Sequence, residues 1–336
     1  MTAEKEVLDW LCEEDNPSVR YFTLKNLLGK GEQDAEVEEA RRQIMLKGVV
    51  PKILSKLNED GHYVDEKVVR KYGKTIADFG YLPKYKGTIW QLILFAELGA
   101  NGEDSRVRNT CEYVLNHCYT EKGLFTILGA DYLAPCFQGN MVYALSKLGY
   151  AEDERVRKAL RVLVRYQRFD DGSFKTPKEW PYFGRRDRCS GAHSCYAGCS
   201  KGLKAVSTLP KGEWDGEVRD YVRRGSEYFL IHHVYKSSHN PSKLLHSYID
   251  LITFPNFVYS DFLEILDVLL DFGIKDVRMN DAVELLKSKR KENGRWFLER
   301  GVSGMYTTIE TKGRKSRESK WATYRALNAL RKWKEL

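Results

Sequence analysis

Four side chains able to bind a metal fall within eleven residues of the segment Arg185-Arg-Asp-Arg-Cys189-Ser-Gly-Ala-His193-Ser-Cys195-Tyr-Ala-Gly-Cys199. Zinc accepts thiolate and imidazole, and an open catalytic site uses three such ligands plus water. Cys189, His193, Cys195 and Cys199 are therefore the candidate ligands and zinc the candidate cofactor, with Cys136 and His246 as completing ligands. Cys195 and Cys199 are four apart and share a helix face, whereas His193 and Cys195 diverge unless a helix starts between them. The alternative reading is that these are small, polarizable residues that let a helix pack closely.

Two carboxylates suit proton transfer, and His193 is a further catalytic candidate. Asp261 follows the aromatic stretch Phe254-Pro-Asn-Phe-Val-Tyr-Ser260, and burial among aromatics raises a carboxyl pKa toward the range of a general acid. Asp131 is the second choice. Candidate substrate contacts are Trp90, Asn140, Tyr143, Tyr196, Phe257, Tyr259, Trp321 and Tyr324, with Gln91 and Cys136 beside them. Most stand near the starts of predicted helices. Their aromatic faces could stabilise a carbocation; core packing is the plainer explanation. His232-His233 and His239 are expected at a surface turn. No phosphate-cradling glycine loop and no Gly-x-Ser-x-Gly elbow occurs, which disfavours nucleotide hydrolysis and ordinary esterase chemistry.

The elements that must position these groups repeat along the chain. Asn16-Pro-Ser-Val-Arg20, Asp104-Ser-Arg-Val-Arg108, Asp153-Glu-Arg-Val-Arg157, Asp215-Gly-Glu-Val-Arg219 and Lys275-Asp-Val-Arg278 are variants of one phrase, the last four arginines lying 49, 62 and 59 residues apart. Glycine closes the helix before each of those four, at Gly99, Gly149, Gly212 and Gly273, and the acid or amide caps the next helix. A second punctuation, Gly-x-aromatic, recurs at Gly61-His-Tyr63, Gly123-Leu-Phe125, Gly172-Ser-Phe174 and Gly294-Arg-Trp296. Amphipathic helices thus alternate with helices richer in small, aromatic and apolar residues, which reads as an outer and an inner layer. Such pairs stack as an open solenoid or close into a toroid.

The bulk numbers agree with an all-α globular chain. Of 336 residues, 42% are apolar and 30% charged, with 7 Trp, 20 Tyr and 14 Phe to fill a core or line a cavity. The net charge of +8 is scattered. Its densest clusters, Arg185-Arg186-Asp187-Arg188 and Arg314-Lys315-Ser316-Arg317, read as solvated faces or as sites for an anionic group such as a diphosphate, and nucleic acid is not an expected partner. No signal peptide or membrane-spanning stretch is read, and seven cysteines fit a reducing cytoplasm. Peripheral membrane contact is compatible with this.

The turn Gln167-Arg-Phe-Asp-Asp-Gly172-Ser-Phe174 resembles the Q-x-x-D-G-x-W repeat of squalene/hopene cyclases and protein prenyltransferase β-subunits, with weaker copies at Lys289–Trp296 and Asn58–Tyr63. The resemblance covers roughly residues 45 to 335. It implies an α/α toroid of about five to six helix pairs around a cavity for an isoprenoid-like apolar substrate, with cyclisation or prenyl transfer as the chemistry. Residues 1–45 resemble a HEAT-like helix pair packed on a toroid of residues 46–336. His193-Ser-Cys195-Tyr196 is similar to the prenyltransferase histidine context, and Asp187-Arg-Cys189 to its Asp-x-Cys pair. In those families the two elements lie far apart, whereas here they adjoin. No D-x-D-D acid is present; Arg168-Phe169-Asp170-Asp171 falls in the turn. The second expectation, from a different class, is a non-catalytic helical-repeat binding or scaffold protein. A closed apolar cavity with a buried acid or metal favours the first, and a charged concave face the second.

Overall fold

The computed structural model describes residues 3–64, 66–80, 85–127, 129–172, 174–184, 187–310 and 318–335. Arg185-Arg186 and the Arg314–Arg317 cluster lie outside the described residues. Asp34, Asp104, Asp153, Asp215 and Asp261 each accept a backbone N–H from the first turn of the helix they precede, as does Asn16. Each such cap stabilises its helix by about 1 kcal/mol.

In chain order the helices are α1 (Ala3–Leu11), α2 (Pro17–Phe22), α3 (Ala35–Leu46), α4 (Val49–Leu54), α5 (Glu66–Tyr72), α6 (Lys74–Phe79), α7 (Thr88–Leu98) and α8 (Ser105–Cys118). There follow α9 (Pro135–Leu145), α10 (Glu154–Tyr166), α11 (Asp187–Ser190), α12 (Tyr196–Val206), α13 (Gly216–Ile231), α14 (Phe262–Asp271), α15 (Asn280–Ser288) and α16 (Lys320–Glu335). A π-helical turn extends α2 over Thr23–Leu27, and another extends α9 over Ser146–Tyr150. The described residues form no strand, only isolated bridges. No described helix is long and apolar enough to cross a membrane.

Two layers separate by burial. Helices α7, α9, α12 and α14 are buried almost all round, whereas α3, α8, α10, α13 and α15 bury one stripe. The inner helices touch in succession: α7 with α9, α9 with α12, α12 with α14, α14 with α16, and α16 with α2 and its π-turn. Ser18 Oγ donates to Leu98 O at 2.7 Å and ties α2 to α7. Val7, Leu11, Val19, Leu24, Val37 and Ile44 of residues 1–45 belong to the same apolar core as Ala329.

Glycine lets α9 and α12 approach most closely. A Cβ on Gly139 would stand 2.5 Å from the Lys201 carbonyl, and one on Gly198 would stand 3.0 Å from Pro135 Cβ.

Side chains at the starts of inner helices hold the preceding turns. Thr88 Oγ1 accepts from Tyr63 N at 3.0 Å, Gln138 Oε1 from Phe125 N at 2.8 Å, and Thr323 Oγ1 from Trp296 N at 3.0 Å. Tyr63, Phe125 and Trp296 are accordingly buried. Phe174 departs from this pattern: it is 56% exposed and lies under the Arg168 guanidinium. The register of the capping phrase also differs from the sequence alignment. Arg278 bonds Asp276 as Arg106 bonds Asp104 and Arg155 bonds Asp153, so Met279 takes the buried place of Val107 and Val156 while Val277 is exposed. The capping carboxylate, not the Val-Arg pair, sets the repeat.

Candidate functional site: a charged chamber at the helix ends

Residues from the C-terminal ends of α7, α9, α12 and α14, together with α16 and the end of α2, line a cavity of about 460 Å³. Glu97 comes from the end of α7, Lys147 from the π-turn after α9, Lys204 from α12, Asp267 and Asp271 from α14, and Lys332 from α16. Helix C-termini carry partial negative charge, which basic side chains offset.

These charges form linked pairs. Glu264 accepts Lys201 Nζ on one oxygen and Lys204 Nζ on the other, each at 2.6 Å, and Lys204 also bonds Glu97. Burial opposes ionisation of Glu264, but the two ammonium groups outweigh it and hold the carboxyl well below the usual range. Burial likewise opposes the Lys204 charge; Glu264 and Glu97 outweigh it and push its pKa up. Lys201 is 1% exposed, and its burial wins, lowering its pKa. Lys332 bonds Asp267 at 2.8 Å and also Asp271. Burial, then the neighbouring Asp267 charge, raises the Asp271 carboxyl. Lys147, an exposed residue whose side chain borders the chamber, has no ion-pair partner among the described residues; desolvation by its neighbours, then the Lys25 charge, lowers its pKa. Aromatic rings complete the chamber. Trp321 stacks on Phe254 at 4.0 Å, Phe22 stands 5.9 Å from Tyr324, and Tyr143 lies 4.3 Å beneath Lys204 Nζ.

The structure thus divides the sequence candidates between two ends. Tyr143, Trp321 and Tyr324 line the chamber. Trp90, Asn140, Tyr196, Phe257 and Tyr259 lie outside its lining, as does Gln91. The N-terminal side is filled by the loop from Thr253 to Asp261. Tyr85 stacks on Phe257 at 4.5 Å, Trp90 meets Phe257 edge-on, and Asn140 donates to Phe257 O at 2.8 Å. Tyr196 and Tyr259 flank His246, each with ring centroids 4.8 Å from it.

Asp261 is a positioning group of that loop. It accepts from Thr253 N, Asn256 Nδ2, Glu264 N and the Arg325 guanidinium, so every neighbour that bonds it is a donor. Asp131 lies at the surface, bonded by Lys122 and by Trp180 Nε1, and the Lys122 bond draws its carboxyl down. Neither stands in the chamber as an acid.

The four candidate zinc ligands are not gathered either. Among the described residues, the group of three or more ligand atoms within 4.8 Å of one another is Asp171, His193 and His239; Cys189, Cys195, Cys199, Cys136 and His246 belong to none. Cys195 precedes α12 as its N-cap residue, and Cys199 points inward toward Arg168 O with its thiol pushed well up by burial. Helix geometry explains the separation: Cys199 faces the core one turn inside α12, while His193 is exposed before the helix begins.

The chamber residues missed from sequence had a signal. Glu264, Asp267 and Asp271 recur at helical spacing in an otherwise apolar run, and Glu97, Lys201 and Lys204 likewise interrupt inner helices. Charges on an all-buried helix must face a partner or a cavity. Compared with known proteins, the chain matches no protein-family model and no curated protein.

Proposed function

We propose that the chain is an α/α toroid of six helix pairs, and an enzyme that takes a small molecule with an anionic head and an apolar body into the chamber. The cyclic order of inner-helix contacts, from α2 round to α16 and back to α2, supports the toroid reading. In a ring of that order α9 lies opposite α16. The Lys147 amine then faces the aromatic wall of Phe22, Trp321 and Tyr324 across the chamber.

That opposition carries the reading. Cavities of roughly 300–1,000 Å³ with a few placed polar groups suit small molecules. An ammonium without a carboxylate partner suits a phosphate or diphosphate, and stacked rings suit an apolar chain or a developing cation. An isoprenoid diphosphate, the class the repeat resemblance implies, uses both walls. Asp271, which lines the chamber and shares the Lys332 ammonium with Asp267, is the carboxylate whose replacement tests for catalysis in this scheme.

Calorimetric titration with farnesyl diphosphate, farnesol and inorganic diphosphate tests it. The ester is expected to bind at least tenfold tighter than either fragment, and Lys147→Ala to remove that advantage. Equal binding of farnesol and the ester, or binding of none, overturns it. The dense ion pairing of the chamber favours a second reading, non-catalytic binding. Wild-type protein that binds the ester without ever consuming it selects that reading, and Asp271→Asn that binds but does not turn over selects the enzyme.

A further inference from the structure

Three of the seven histidines converge on one carboxylate away from the chamber. His193 Nδ1 stands 2.9 Å and His239 Nε2 3.3 Å from Asp171 Oδ1, and His232 Nε2 lies 3.9 Å from Asp171 Oδ2. One carboxylate thus faces three imidazole rings. We propose that Asp171, His193 and His239 bind a divalent transition metal, zinc in an ordinary cellular supply, with His232 closing the buried side.

The separations fit a metal centre. Bonds of about 2.0–2.1 Å in tetrahedral array place neighbouring ligand atoms about 3.3 Å apart; the two separations at Asp171 Oδ1 are 2.9 and 3.3 Å, and all three ligand atoms lie within 4.8 Å of one another. Metal-bound imidazole usually donates its other N–H to a carbonyl or carboxylate, which fixes the tautomer. The neighbouring His232, outside the three mutually close ligand atoms, is fixed in this way: its side chain is 3% exposed, and Nδ1 donates to Tyr228 O at 2.6 Å, which turns Nε2 toward Asp171.

The backbone holds the group from several elements. Asp171 and His193 face each other across an antiparallel bridge, Ser194 N donates to Asp170 O at 2.8 Å, and Ser238 Oγ donates to Asp171 Oδ2. After His232 the chain passes through left-handed conformations at His233 (φ 45°) and Val234 (φ 72°), unusual for a non-glycine and worse for a β-branched residue. That turn begins the return that brings Ser238 and His239 to Asp171. Strained backbone held by its surroundings is a feature of functional sites. The side chains of His193 and His239 are 60% and 63% exposed, so a bound metal keeps a position open to solvent. Nitrogen and oxygen donors with an open position suit zinc, and cobalt(II) as its spectroscopic substitute.

The test uses full-length, tag-free protein. Elemental analysis of the purified chain is expected to give about one zinc per molecule, and cobalt(II) added to chelator-treated protein to produce visible ligand-field absorption. His239→Ala and Asp171→Asn, checked for unchanged circular dichroism, are expected to weaken metal binding by at least about tenfold, since even outer-shell partners of ligands matter by that much. Cys195→Ser is expected to leave it unchanged. Less than a tenth of an equivalent in folded wild-type protein that also fails to take up cobalt overturns the proposal. So does retention of full affinity by His239→Ala, or its loss in Cys195→Ser alone, which would place a metal at the thiols.

Discussion

Lys201 of α12 and Glu264 of α14 meet at 2.6 Å inside the protein, the lysine 1% and the glutamate 7% exposed. Lys201 also donates to Asn256 O at 2.7 Å, so the pair anchors the loop that closes the N-terminal side to the helix that lines the chamber. Removing one partner of a buried pair leaves the other uncompensated, at about 3–5 kcal/mol. Glu264→Gln should therefore lower the unfolding free energy by about that amount in urea. A loss under about 1 kcal/mol would show that the pair does not hold the fold.

The same carboxylate sets an acid limb. Its folded-state pKa lies below the unfolded value, so its stabilisation is complete above the ordinary glutamate pKa of about 4.3 and disappears as pH falls toward the depressed folded value. Thermal midpoints of the wild-type protein should drop steadily below about pH 4. Glu264→Gln, less stable at neutral pH, should show a shallower drop. Parallel acid limbs for the two proteins would contradict this.

Close contact between α9 and α12 at Gly139 is a demanding steric feature. An alanine Cβ there meets the Lys201 carbonyl carbon and oxygen at 2.5 Å, and both belong to backbone that cannot rotate away. Gly139→Ala should cost about 3 kcal/mol, the upper part of the overpacking range. Gly212→Ala, with nothing within 4 Å, should stay within about 0.5 kcal/mol of wild type. Denaturant midpoints of the two variants check the contrast.

Thiol reactivity separates the cysteines near α12. Cys199 is fully buried and its thiol is pushed well up by burial, so it should resist iodoacetamide in folded protein at mildly alkaline pH. Cys111 and Cys118, buried and raised in the same way, should resist as well. Cys12, Cys136, Cys189 and Cys195 are only partly buried and should label before them. Peptide mass spectrometry reads the order, and early labelling of Cys199 would mean that α12 opens.

The layering was legible because it rests on local chemistry. Asp104, Asp153 and Asp215 cap where a carboxylate precedes a helical run, and Gly99, Gly149 and Gly273 take positive φ where a helix stops. Which end of the inner helices would be open was not legible. Trp90, Phe257 and Tyr196 have the composition of a cavity wall, yet the loop from Thr253 to Asp261 fills that end, pinned by Lys201, Asn140 and Arg325 from three helices. Such long-range pairing leaves no periodic trace. Asp171 escaped notice for a related reason. Its partners His232 and His239 stand more than sixty residues away in the chain, and only the left-handed turn at His233-Val234 returns His239 to it.

The central claim is that ligand enters the chamber at the C-terminal ends of the inner helices. A crystal structure with farnesyl diphosphate bound tests it most directly. The diphosphate is expected beside Lys147 and the hydrocarbon against Trp321, Tyr324 and Phe22. Ligand at the opposite end, among Trp90, Tyr196 and Phe257, or an empty chamber at saturating ligand, would contradict it.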